Sequence, residues 1–198
     1  MEKYQLLKSP FKNIWIVVLL VVMGCSERHY LRIDPTIPVN RKNIGNGEKL
    51  LLHVIDMRRS KTISNWQGGY KLRKFTISSD ADIAETMKSK VRQGLELLGF
   101  RPRKTPSASL RKSLKVEILK IKSSYKEKIP TLGVKVQAIL RATCKNEGRS
   151  YHNVYKANKS KNDISPATFP NERLVNATLS ESLRMMFHDV ALLDCLSS

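Results

Sequence analysis

The stretch "HVIDMRR" sets Asp56 and Arg58 two residues apart, with Arg59 beside them. On a strand, residues i and i+2 share a face. The ordinary reading is a charge pair at a strand end. The sharper one is a ligand site for an anion, using Arg58 and Arg59. His188-Asp189 is the other adjacent pair of ligating types. Neighbouring helical residues point about 100° apart, and no second pair exists, so a capping Asp beside a surface His is expected, and no metal site. His29, His53, His152 and His188 are scattered. The chain carries no HExxH, GxSxG, P-loop or CxxC motif. No catalytic residue is assigned, and an enzyme is not expected.

Two basic clusters stand out: Lys71, Arg73 and Lys74, then Arg101, Arg103, Lys104, Arg111 and Lys112. The second falls between a predicted helix and the next strand, with Pro102 and Pro106, and reads as a loop. Loops carry binding residues more often than their scaffold does. Arg101, Arg103 and Lys104 are therefore the candidate contact for an anionic lipid or lipopolysaccharide; the alternative is a solvated loop. Cys144 and Cys195 are a candidate disulfide. They can pair only if their Cα atoms come within about 7 Å; otherwise they are buried free thiols.

The elements that must position these residues are legible in the hydrophobic pattern. Residues 48–58 form a strand with apolar side chains on both faces, hence a covered one. Residues 70–77 form a weaker strand after the turn signal Gly68-Gly69. Residues 78–100 form the clearest helix, capped by Ser79 or Asp80 and stopped at Gly99. Its stripe is Ile83, Met87, Val91, Leu95 and Leu98. Strands are predicted at 113–121, 134–144 and 150–158, the last two as a hairpin around "KNEGR". A loop at 159–170 leads to a second helix, capped by Asn171 and running from Glu172 to about His188, with Val175, Leu179, Leu183 and Met186 as its stripe. Asp189 caps a final turn, "VALLDCL". The fold class is α+β: a two-layer sandwich of about five mostly antiparallel strands, with two amphipathic helices on one face and an N-terminal signal helix ahead of them.

That N-terminus sets the compartment. Lys3, Lys8 and Lys12 precede ten apolar residues at 14–23, half of what a membrane span needs. A basic flank followed by a short apolar run is the order of a secretory signal. It ends in Val22, Met23, Gly24 and Cys25, which resembles a bacterial lipobox. The resemblance implies cleavage after Gly24 and acyl chains on Cys25; two or more chains hold a protein firmly to a bilayer. The competing reading is a buried helix or uncleaved anchor with an incidental Cys. Ser26 follows the Cys, where Asp would retain a lipoprotein at the inner membrane, so the outer membrane is expected in a diderm bacterium, with the domain facing the periplasm. The division is then 1–24 signal peptide, 25–47 acylated Cys and extended tether, and 48–198 a single α+β domain. No cofactor is expected beyond the covalent acyl chains.

Without residues 1–24, three of 36 cations and one of 17 acids are removed, leaving 33 against 16, or +17. Such a field concentrates anionic partners. In an envelope these are lipid phosphates, lipopolysaccharide or peptidoglycan carboxylates, and nucleic acid is not expected. A merely solvated basic surface is the bland alternative.

"HVIDMR", "SSDADIAETMKSKVRQGLELLGF", "ATCKNEGRSYHNVYKA" and "PNERLVNATLSESLRMMFHDVALLDCL", taken in order, resemble the YajG-type bacterial lipoproteins over roughly residues 50–196. The matched positions are Asp56 and Arg58, Asn171 and Glu172, then Asn176, Leu179, Ser180 and Asp189. After Arg58 this chain departs, reading "RSKTISNWQGGY". The resemblance implies an outer-membrane lipoprotein and delivers no mechanism. Two functions stay open: a docking or accessory module for an envelope protein complex, and a binder of anionic lipid or lipopolysaccharide through the basic loop. An exposed apolar patch on the sheet face away from the helices favours the first. An apolar pocket with arginines at its mouth favours the second.

Overall fold

The computed structural model describes residues 26–68, 73–106, 110–128, 131–164 and 172–197. The lipobox residues Val22, Met23, Gly24 and Cys25, the cap candidate Asn171, and Lys71 lie outside them.

The described chain is α+β, with two sheets and three helices. In chain order the elements are β1 (Ser26–Leu31), β2 (Lys49–Asp56), β3 (Ser64–Gly68), β4 (Arg73–Ser79), α1 (Ile83–Leu97), β5 (Arg101–Arg103), β6 (Lys112–Lys128), β7 (Thr131–Asn146), β8 (Arg149–Ile164), α2 (Glu172–Phe187) and α3 (Val190–Ser197). The large sheet has the order β5-β2-β6-β7-β8, and the small one β1-β4-β3. The β6-β7-β8 meander is antiparallel, but β2 runs parallel to both β5 and β6, and β1 runs parallel to β4. The return from β2 to a parallel neighbour requires a crossover, and α1 supplies part of it.

The helix stripes meet the large sheet. Ile83, Met87, Val91, Leu95 and Leu98 are all buried, as are Val175, Leu179, Leu183 and Met186. Facing them are Leu50 and Leu52 of β2, Leu114, Val116 and Ile118 of β6, and the alternate residues Val134 to Cys144 of β7. Burying an aliphatic side chain of this size contributes roughly 1.5–3 kcal/mol, so these stripes fix which face of the sheet the helices cover. Gly94 lets α1 approach α2: a Cβ there would lie 2.3 Å from the Phe187 ring.

Several boundaries differ from the sequence reading. α1 is capped by Asp82, whose side chain accepts from the Ala84 N–H at 2.8 Å, not by Ser79 or Asp80; Ser79 bonds to Ala81 instead. Residues 159–164 are strand, not loop, because each pairs with a residue of β7 between 131 and 136. β6 runs on past 121 because a bulge between Ile118 and Lys120 adds one residue and lets pairing resume. The hairpin around "KNEGR" closes on two residues with positive φ, Glu147 (43°) and Gly148 (90°), the backbone a type I′ turn requires.

Residues 26–47 are more than a tether. Ser26–Leu31 is a strand, and the following segment, 32–36, is strapped to α2. Leu31 and Ile33 are buried in the core. The small sheet joins the large one where the backbone N–H of Ser123 donates to Ile63 O at 2.8 Å and where Trp66 approaches Tyr125, ring centroids 6.2 Å apart. Ser26 pairs with Lys74, which pairs with Gln67. The start of β1 therefore lies level with the far end of β6, near Lys126.

Candidate functional site

Asp56 ends β2 and Arg58 folds back on it. Arg58 Nε donates to Asp56 Oδ1 and Nη2 to Oδ2, both at 2.8 Å, and the Arg58 backbone N–H adds a third bond at 3.2 Å. Lys61 Nζ approaches Oδ2 at 3.7 Å. The Asp56 and Arg58 side chains are 7% and 4% exposed. Burial alone would raise the Asp56 carboxyl pKa; the Arg58 hydrogen bonds and charge outweigh it and hold it below the ordinary range. The two-atom fork is the strong geometry for this pair. This clamp fixes the chain where it leaves the large sheet.

Beyond it, residues 57–63 bow outward before β3 begins, opening a cleft of about 470 Å³. One wall is β6 at Leu119–Lys122; the other is Met57, Arg58, Arg59, Ser60 and Thr62 to Asn65. β2 ends beside Ile118, and Ile63 rejoins β6 only at Ser123. The bulge sits at the same place.

The basic cluster of the sequence divides. Arg101 and Arg103 lie on an edge strand, not in a loop: β5 pairs with Lys49–Leu51, and the Arg101 N–H donates to Glu48 O at 2.7 Å. Pro102 is buried, and its carbonyl accepts from Arg92. Arg101, Arg103 and Lys104 are exposed. Arg111 pairs with Glu147 at 3.2 Å and Lys112 pairs with Glu48, so these two serve the sheet end. Lys74 is exposed on β4, at the other end of the molecule.

Cys144 and Cys195 form a disulfide, Cα atoms 6.3 Å apart, that ties β7 to α3. Asn146 Nδ2 donates to the Cys195 carbonyl at 2.9 Å beside it. Asp189, at the start of α3, is a hub. Its Oδ2 accepts from Tyr155 (2.7 Å), Asn153 (2.9 Å) and Tyr151 (3.0 Å), and its Oδ1 from the Leu192 N–H (3.2 Å). Burial alone would raise its pKa; these hydrogen bonds outweigh that and lower it. His188 is exposed, its Nδ1 on the Arg184 carbonyl. Among the described residues no group of three or more His, Cys, Asp or Glu side chains is placed to hold a metal ion.

The sequence reading missed what Glu172, Asn176 and Ser180 do. Spaced by four, they form a polar stripe on α2. Glu172 accepts from the Arg32 N–H (3.0 Å), Asn176 from Asp34 N–H (2.9 Å) while donating to the Arg32 carbonyl (3.0 Å), and Ser180 from Thr36 N–H (2.9 Å). Lys90 of α1 meets Asp34 at 2.6 Å from the other side. The i, i+4, i+8 spacing of polar residues was visible; that a backbone segment 140 residues away completes it was not.

On the outer face of the large sheet, Glu117 is 4% exposed between Arg141 (2.7 Å) and Lys115 (2.9 Å). The Arg141 hydrogen bond is the main cause that lowers its pKa to about 2, against burial. Around this pair the face is open: His53, Ile55, Met57, His152 and Val154 are exposed.

These features define a two-layer α+β domain with ion pairs that clamp its sheet and a basic cleft beside Arg58. A model of an uncharacterised lipoprotein family matches residues 35–197, and the chain belongs to that family, the YajG type. It is thus an envelope lipoprotein. No curated protein matches the chain in sequence. Solved structures similar to it include a protein of Xanthomonas campestris (12% identity, TM-score 0.41, covering 87% of this chain and 96% of that one). A minor lipoprotein from Acinetobacter baumannii is similar at 6% identity and TM-score 0.41, covering 73% and 90%. A putative neuraminyllactose-binding hemagglutinin homolog from Helicobacter pylori is similar at 7% identity and TM-score 0.42, covering 85% and 96%. Likenesses at these scores carry no functional argument.

Proposed function

We propose that this lipoprotein is a non-enzymatic docking module, anchored through Cys25 in the inner leaflet of the outer membrane and presenting its large sheet to an envelope protein complex in the periplasm. The observation that supports the reading is one-sided cover: α1, α2 and α3 all pack on the same face of the large sheet, while the other face exposes Ile55, Met57 and Val154. Ile55 and Val154 flank the Glu117–Arg141 pair in one row across that face, a mix of apolar and polar surface such as non-obligate interfaces carry. Crosslinking in intact cells tests it. One envelope complex should be recovered at constant stoichiometry with the wild-type protein and lost with Ile55→Asp/Val154→Asp. Equal recovery with that variant would refute the assignment of this face.

A second reading, contact with anionic lipid, is favoured by a different place from the basic loop. β1 begins one residue after Cys25, so an anchored chain has almost no slack before its small sheet. Arg28, Lys74, Lys122, Lys126 and Lys135 are exposed near that end. Arg101 is level with the start of β6, about fifteen residues along the strand from Lys126, hence roughly 45 Å away at a strand's rise per residue. A membrane holding Cys25 would meet the first set of cations and not Arg101, Arg103 and Lys104. Each cation near an anionic surface contributes about 1 kcal/mol.

A further inference from the structure

We infer that the cleft between the two sheets is a binding site for a phosphate group carrying a small organic part. Two polar atoms on its walls are buried without a hydrogen-bond partner: Arg58 Nη1 and Ser64 Oγ. A buried donor left unsatisfied costs about 1–3 kcal/mol, more when charged, so each of these atoms calls for a partner. Arg58 borders both this cleft and a smaller recess under Ser78–Asp82. Its other two nitrogens are held by Asp56, which fixes the direction of the third.

The charge of the site is one-signed. Arg58, Arg59, Lys120 and Lys122 line the cleft, and no Asp or Glu is among its lining residues. Asp56 is consumed by Arg58 and Lys61. β6 has β7 on one side along residues 120–122, while on the other side β2 has ended and β3 has not begun. A guanidinium, a hydroxyl and lysine ammonium groups around one space are donors that match a phosphate. The volume, about 470 Å³, exceeds what one phosphate fills and lies in the range of small-molecule sites. Met57, Ile63, Leu119 and Ile121 supply apolar wall for the organic part. The ligand is a phosphate ester, from a phospholipid headgroup or from a soluble metabolite.

The test uses the full lipidated protein in neutral detergent micelles, titrated calorimetrically with glycerol 3-phosphate and, separately, with vesicles of phosphatidylglycerol or of phosphatidylcholine. Saturable binding of glycerol 3-phosphate is expected, weakened at least tenfold by Arg59→Ala/Lys120→Ala and several-fold by Ser64→Ala. Lys156→Ala, exposed and outside the cleft, should leave it unchanged. Arg58 is left intact because it holds Asp56. If phosphatidylglycerol vesicles, but not phosphatidylcholine, displace the glycerol 3-phosphate, the source is a lipid headgroup. If neither displaces it, the source is soluble. Absence of saturable binding, or binding that Arg59→Ala/Lys120→Ala does not weaken, overturns the inference.

Discussion

Replacing both Cys144 and Cys195 by Ala opens a loop of 51 residues in the unfolded chain. The chain-entropy relation for a loop of that length gives a loss of about 4 kcal/mol at 25 °C, within the 2–5 kcal/mol usual for native disulfides. For a domain of this size each kcal/mol moves Tm by roughly 2–4 °C, so a drop of about 8–16 °C is expected. The loss should act on α3 first. That helix has only eight residues, and beside the buried Leu192 and Leu196 its ties to the sheet include the disulfide, the Asn146–Cys195 hydrogen bond and the bonds of Asp189 to Tyr151, Asn153 and Tyr155. The assay is urea unfolding of the mature protein, wild type against the double variant, each with and without reductant. Reductant should bring the wild type to the variant's stability and leave the variant unchanged. Unfolded, unreduced wild type should react with no equivalents of a thiol reagent. Two reactive thiols, or a stability difference below about 1 kcal/mol, would refute the reasoning.

Three further outcomes follow from the packing and the charge pairs. Gly94→Ala should destabilise by about 1–3 kcal/mol despite Ala's better helix propensity, because its Cβ meets the buried Phe187 ring; Phe187→Leu in the same chain should recover part of the loss in a urea melt. Asn176→Ala should cost about 0.5–1.5 kcal/mol by removing its bonds to Asp34 N–H and the Arg32 carbonyl, and amide exchange at residues 32–36 should quicken before the core does. Glu117, with its pKa lowered from 4.5 to about 2, contributes stability that is full above about pH 4.5 and lost as pH falls toward 2. The urea-midpoint gap between wild type and Glu117→Gln should therefore close over that window; a gap independent of pH would contradict the assignment.

Long periodic segments were legible in the sequence because one period decides them. The α1 and α2 stripes and the alternation in β7 each point one way, and each faces the core. The Glu147-Gly148 turn was legible from its local composition. What escaped depends on partners far along the chain. β1 is a six-residue strand of mostly polar and charged residues whose partner strand, β4, lies almost fifty residues away. β5 is three residues long and carries two arginines, so its charge reads as loop, while Pro102 and the backbone make it an edge. The parallel pairing of β2 leaves no mark on β2 itself. The Asp56–Arg58 pair was visible as a charge pair, but the cleft beside it needs β2 to stop, β6 to bulge and β3 to arrive late, and no single window holds all three.

The account rests on Cys25 as an acylated anchor, and labelling cells with a tagged palmitate tests it most directly. The wild-type protein should carry label and fractionate with the outer membrane, while Cys25→Ala should carry none and leave that fraction. An unlabelled wild type, or equal label on Cys25→Ala, would contradict the account.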